Sequence, residues 1–190
     1  MSIQQRRERE RADREKLIIT AARELAESEG WDAVTTRRLA AEIEYSQPVL
    51  YSHFKGKDAI MAAVAVEGCG ELAAELRTAR TAPADPAQTL ADVAAAYMEF
   101  AERRPALYDA MFTRAVDLPF ATPEAPPALQ EAFGELRETL RPLAGEDDLG
   151  ALTETFWSSL HGLLTLMRDG RMRREHHALR LQILLRRFST

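Results

Sequence analysis

The sequence predicts an all-α protein, and three observations carry that expectation. Its apolar residues are chiefly Ala and Leu, with few Val and Ile, a mix that favours helix over strand. No run of β-branched or aromatic residues alternates with polar ones, as a half-buried strand would. Apolar residues instead recur at three- and four-residue spacing between Gly and Pro breakers, which marks out about nine helices.

Residues 2–15 are nearly all polar or charged. Arg7, Glu8, Arg9, Glu10, Arg11, Asp13, Arg14 and Glu15 place opposite charges three and four residues apart. The segment reads as a solvated helical extension. The competing reading, an arm along DNA, is disfavoured because its acids offset its cations. Leu17, Ile18, Ala21, Ala22, Leu25 and Ala26 then form one apolar stripe that Gly30 ends. Trp31 and Val34 anchor the connection. Thr35 is placed to cap a second helix that turns Leu39, Ala40 and Ile43 inward. After a break at Glu44-Tyr45, Ser46 can cap a third helix with Pro48 in its first turn. Val49, Leu50 and Phe54 point toward the core or are shared with it.

Beyond Gly56 a long helix is expected over about residues 57–80, then a linker over Thr81–Pro86. Helices follow over about 87–104 and from Pro105 through Phe112. Residues 117–127 hold four prolines and form the longest irregular stretch, a candidate mobile loop. Three more helices are expected, over about 127–144, 148–169 and 175–188. Gly68 and Gly70 flank Cys69 inside the long helix, where close packing or a kink is the ordinary reading.

Charge and cysteine content bound the function. The net charge is −5, yet residues 1–60 carry as many Lys and Arg as Asp and Glu, so the acidity belongs to the remainder. A neutral head with its cations on one face is compatible with nucleic acid. One cysteine excludes an intrachain disulfide and any multi-thiolate metal site. No apolar run reaches the roughly 18 residues of a membrane span, and the N-terminus is charged rather than signal-like, so cytoplasm is the expected location. There is no Gly-rich phosphate loop, no G-x-S-x-G and no H-E-x-x-H, so no enzyme, catalytic residue, cofactor or metal is expected. His161 reads as a packing residue and His176-His177 as solvated.

The informative stretch is Thr35–Phe54, two short capped helices around a tight turn. Helices of two turns are not stable alone, and the Leu17–Ala26 helix supplies the third partner of a helix-turn-helix. With its core positions removed, the third helix presents Ser46, Gln47, Tyr51, Ser52 and His53. Gln pairs bidentately with adenine, and hydroxyls suit phosphates. Arg37, Arg38, Lys55 and Lys57 flank them as phosphate ligands.

Residues 16–60 resemble the N-terminal domain of TetR-family regulators. The likeness rests on Gly30-Trp31, Thr35-Thr36-Arg37, Leu39-Ala40, the run Ser46 to Phe54 and the run Lys55 to Ile60. It implies base contact from Gln47, Pro48 and Val49, and phosphate contact from Thr36, Arg37, Ser46, Tyr51, His53 and Lys57. The turn position usually held by Gly is Glu44 here. Trp157-Ser158-Ser159-Leu160-His161-Gly162 resembles the Trp-His-Gly signature of one C-terminal subclass of the family.

The resemblance implies a DNA-binding domain over 1–60 and an effector-binding, dimerisation domain over 61–190. It further implies double-stranded operator DNA and a small-molecule effector as partners. The homodimer would form through the last two helices, with Leu160, Leu163, Leu164, Met167, Leu179, Leu181, Ile183, Leu184, Leu185 and Phe188 as interface candidates. Tyr97, Phe100, Tyr108, Met111, Phe112, Phe133, Trp157 and His161 are core by spacing alone, and the resemblance makes them candidates for a ligand pocket. The expected function is thus a sequence-specific regulator of transcription, a repressor released by its effector. A helical ligand-binding protein or enzyme without operator function is the competing class, distinguished by a flat salt dependence of DNA binding.

Overall fold

The helix periodicity is realised in a computed structural model that describes residues 2–114, 118–120 and 122–189. Among these residues there are nine α-helices and no strand. They are α1 (Ile3–Glu29), α2 (Thr36–Glu42), α3 (Gln47–His53), α4 (Lys57–Thr81), α5 (Pro86–Arg103), α6 (Pro105–Phe112), α7 (Pro127–Leu140), α8 (Leu149–Arg168) and α9 (His177–Phe188). Short 3-10 turns at Arg141–Leu143 and Arg174–His176 end α7 and precede α9. Of the proline-rich stretch expected over 117–127, residues 117 and 121 lie outside the described residues.

The polar extension is continuous with α1. Ser2 and Gln5 form a capping box, each side chain bonding the other's backbone N–H, so the helix starts well before its buried stripe. That stripe is Ile18, Ala21, Ala22, Leu25 and Ala26. Gly30 ends the helix at φ 84°, a conformation that only Gly adopts without cost. Trp31 and Val34 are buried in the connection, as expected.

The chain forms two compact units. One comprises residues 1–69 and 103–126, the other 70–102 and 127–190. The first unit takes in α6 and the first half of α4 as well as α1 to α3. The bonds responsible are specific. Arg104 gives α6 no side-chain cap, and Glu27 of α1 supplies one from far away in sequence. Its two carboxylate oxygens accept from the backbone N–H of Ala106 at 3.1 Å and of Leu107 at 2.9 Å. Trp31 Nε1 donates to the Ala106 carbonyl at 2.7 Å. Gly68 of α4 lets the backbone come close: a Cβ there would lie 2.7 Å from Leu107 Cδ1 and 2.8 Å from Met111 Sδ.

The second unit is built on the apolar faces of α5, α7 and α8, with Tyr97, Phe100, Leu136, Phe156, Leu160 and Leu164 buried. Glu135 of α7, the one deeply buried carboxylate among its described residues, is paired twice. It accepts from Arg77 Nε and from Arg80 Nε, each at 2.7 Å. Such pairing is what makes a buried charge tolerable. Phe188 of α9 stacks edge-on against Phe156 of α8, ring centroids 5.1 Å apart, and this seats the terminal helix.

Candidate nucleic-acid interface

Three local features set α2 and α3 at their angle. Thr35 caps α2 by accepting from the Arg38 N–H at 3.2 Å. The turn then closes as a Schellman motif: Tyr45 N–H bonds Ala40 O at 2.8 Å and Glu44 N–H bonds Ala41 O at 3.3 Å. That geometry requires a left-handed residue, and Glu44 takes it with φ 56°. A side chain there costs about 1 kcal/mol. Glu44→Gly is therefore expected to stabilise the protein by about that amount and to raise its Tm by about 2–4 °C. A lower melting temperature for Glu44→Gly would show that the turn is not strained.

Helix α3 packs on α1 and α2 and buries a single side chain, Leu50. Val49, read from its apolar character as core-facing or shared with the core and from the family resemblance as a base contact, is exposed, at 37%. A two-turn helix offers the core one narrow side, and a residue adjacent to Leu50 is rotated away from it by about 100°. Ser46, Gln47, Pro48, Val49, Tyr51 and Ser52 consequently stand out on one exposed surface. Ser46 occupies the cap position with its hydroxyl unused there. Tyr51 OH lies 3.3 Å from Thr36 Oγ1, which ties the exposed face of α3 to the first turn of α2. Ser52 Oγ donates to Val49 O at 2.6 Å and keeps its lone pairs free. Arg37 is exposed and makes no bond among the described residues.

The remaining expected contacts are already engaged within the protein. His53 has only 6% of its side chain exposed, and its Nδ1 lies 3.3 Å from Glu15 Oε1. Lys57 Nζ donates to the Trp31 carbonyl. Arg38 grips both carboxylate oxygens of Glu29, and that hydrogen bonding holds the Glu29 carboxyl below its ordinary range. Sequence reading missed all three partners, Glu15, the Trp31 carbonyl and Glu29. No helical period links residues so far apart, so nothing local signalled them.

The eight candidate pocket residues are divided between the units. Tyr108, Met111 and Phe112 belong to the first, where Tyr108 and Phe112 meet edge-on at 5.0 Å. Tyr97, Phe100, Phe133, Trp157 and His161 belong to the second. There Trp157 Nε1 donates to Tyr97 OH at 3.1 Å, and His161 Nε2 lies 3.4 Å from Thr165 Oγ1. Burial, aided by Arg168, lowers the His161 pKa, which suits a neutral packing residue. An open groove of about 500 Å³ lies instead between the start of α5 and α9, with Gln88, Leu181 and Leu185 among its walls and none of the eight. Cys69 is buried, and burial pushes its thiol up to about 12, so it carries no reactive thiolate at neutral pH. Among the described residues no group of acids, His and Cys could hold a metal. No helix among them is long and apolar enough to cross a membrane.

Comparison with known proteins agrees with this geometry. A family model described as Bacterial regulatory proteins, tetR family, matches residues 18–64. Another, Tetracyclin repressor-like, C-terminal domain, matches residues 90–188, more than half of the chain. The HTH-type transcriptional regulator Rv0681 of Mycobacterium tuberculosis is 31% identical over 157 residues, which span 82% of this chain and 70% of Rv0681. The HTH-type transcriptional regulator YobS of Bacillus subtilis is 32% identical over 103 residues, or 54% of this chain; the match spans 53% of the length of YobS. Among solved structures, BioQ crystallised with its natural double-stranded DNA operator shares the fold. Its TM-score is 0.67 at 21% identity, covering 92% of this chain and 97% of that one. These relatives are regulators of transcription rather than enzymes. With an exposed α3 held on α1 and α2, and family models matching both ends, the chain belongs to the TetR family of DNA-binding transcriptional regulators.

Proposed function

We propose that the protein is a homodimeric, cytoplasmic repressor that a small apolar effector releases from a palindromic operator. The observation that carries the reading is α3: one buried residue, Leu50, and an outer face of Gln47, Pro48, Val49, Tyr51 and Ser52 without a single acid. In this reading Gln47 pairs with a base edge in the major groove, and Pro48 and Val49 pack on thymine methyl groups. Thr36, Arg37, Ser46 and Tyr51 hold phosphates, while His53 and Lys57 brace the support from inside. Reading of DNA resides in residues 1–60, and effector binding and pairing in 61–190. Two such heads in a dimer address half-sites about 34–36 Å apart. The effector must bind the DNA-incompetent arrangement more tightly, since only differential affinity shifts the equilibrium.

The test uses a duplex that the wild-type protein selects from random sequences. Gln47→Ala is expected to lose about 1–3 kcal/mol of discrimination at one base position of each half-site. Arg37→Ala is expected to weaken every sequence alike and, by removing one phosphate contact from each of the two heads, to lower the steepness of the log–log salt dependence by about 1.8. Identical behaviour of the two variants across a mutated-operator library would refute the division into reading and positioning. A flat salt dependence for wild type would refute operator binding itself.

A further inference from the structure

We propose that the N-terminal extension of α1 is a second DNA-contacting element, in which Arg7, Arg11 and Arg14 grip backbone phosphates beside the site read by α3. The charges of this segment nearly cancel in the sequence, but the helix separates them. Because α1 is helical from Ile3, residues 7, 11, 14 and 18 share one face at spacings of four, three and four. The same face continues into the buried residues Ile18, Ala22 and Leu25. The acids lie off it: Glu8 and Glu15 to one side, Glu10 and Asp13 round the other. Arg9 and Lys16 point the opposite way. Arg7 and Arg14 are exposed and make no bond among the described residues.

Glu15 ties this face to the recognition helix. Its Oε1 takes Arg11 Nε at 2.9 Å and lies 3.3 Å from Nδ1 of His53, the last residue of α3. The arginine face therefore begins beside the end of α3 and runs outward from it. From Ile18 back to Ile3 the helix extends by about 22 Å, enough to follow a duplex past the recognition helix. A row of guanidinium groups in which Arg7 and Arg14 hold no partner among the described residues, contiguous with a DNA-reading surface, suits phosphate, which Arg binds bidentately.

The inference rests on the operator-binding reading, and the test separates the two. Operator affinity of the full-length protein is measured from 50 to 200 mM salt on the duplex selected by wild type, with native flanks retained. The variants are Arg7→Gln/Arg14→Gln and, for the opposite face, Arg9→Gln/Lys16→Gln. Both pairs remove two positive charges and keep good helix formers. If Arg7 and Arg14 of each subunit neutralise one phosphate apiece, the first pair removes four contacts per dimer, lowers the slope by about 3.6, and its deficit against wild type shrinks about 150-fold across that range. The opposite-face pair keeps the wild-type slope. A steep wild-type slope that Arg7→Gln/Arg14→Gln leaves unchanged overturns the extension's role while operator binding stands. Equal losses in both pairs overturn it too, because bulk charge rather than the arginine face would then be responsible. A flat wild-type slope removes the operator reading itself.

Discussion

Aspartates at Leu179 and Ile183 are expected to leave a folded monomer that binds operator at least about a hundredfold more weakly than wild type. Helix α9 buries none of its residues within the chain, yet Leu179 is 55% and Ile183 42% exposed. They stand four apart on one stripe, and Leu166 of α8 is likewise exposed. Apolar side chains left in water on two terminal helices are what a subunit interface requires. Not every candidate for that interface fits, however. Leu160, Leu164 and Met167 are buried within the chain's own core and are unavailable to a partner. The paired aspartates remain hydrated in a monomer, so folding tolerates them. In a dimer they would be desolvated without partners, at a cost larger than the interface can absorb. Loss of pairing removes the intramolecular second contact, which is worth about 10²–10⁴ in affinity. Light scattering for mass and titration of the selected duplex together check this. A double variant that remains dimeric would move the interface away from α9. A monomer with undiminished affinity would dismiss the two-headed mode of binding.

The legible part of the molecule is the part governed by neighbours in sequence. Periodicity and breakers located every helix, and Gly30 and Thr35 ended and began helices where expected. The capping box of Ser2 and Gln5, which starts α1 fifteen residues before the apolar stripe begins, was missed, although a Ser followed three positions later by Gln is a local signal for it. The exposed face of α3 was recoverable apart from His53, which is turned in against Glu15; for Val49 apolar character argued for the core and the family resemblance for the outer face, where its position next to Leu50 rotates it. What sequence could not supply were pairings across long separations: Glu15 with His53, Glu29 with Arg38, Glu27 with the start of α6. A cation in a DNA-binding motif looks the same in sequence whether it awaits a phosphate or already holds a carbonyl, as Lys57 does. The aromatic residues proposed for one pocket fell in two units for the same reason, since helical spacing says that a side chain is buried and not which core receives it.

Trp31→Ala is expected to cost about 3–5 kcal/mol of stability, the largest single-residue effect on the N-terminal unit. The side chain is 2% exposed, sits in a connection rather than a helix, and is the junction of two long-range bonds. Its indole N–H satisfies the Ala106 carbonyl in the first turn of α6, and its own carbonyl receives Lys57 at the start of α4. Removing the ring opens a large cavity and loses the indole's bond to the Ala106 carbonyl. Trp31→Phe separates these contributions, because most of the volume remains while the bond is lost, for about 1–3 kcal/mol. In thermal unfolding, Trp31→Ala is expected to lower the Tm by roughly 10 °C and Trp31→Phe by less than half of that. Since Trp31 is buried and its bonds run to α6 and α4 rather than to the outer face of α3, the folded fraction of either variant should bind the selected duplex with wild-type sequence preference. A Trp31→Ala protein that melts like wild type would mean that α6 is held on this unit by Glu27 and the close approach at Gly68 alone. One that keeps its stability but loses base discrimination would move Trp31 from the support of the interface into the interface itself.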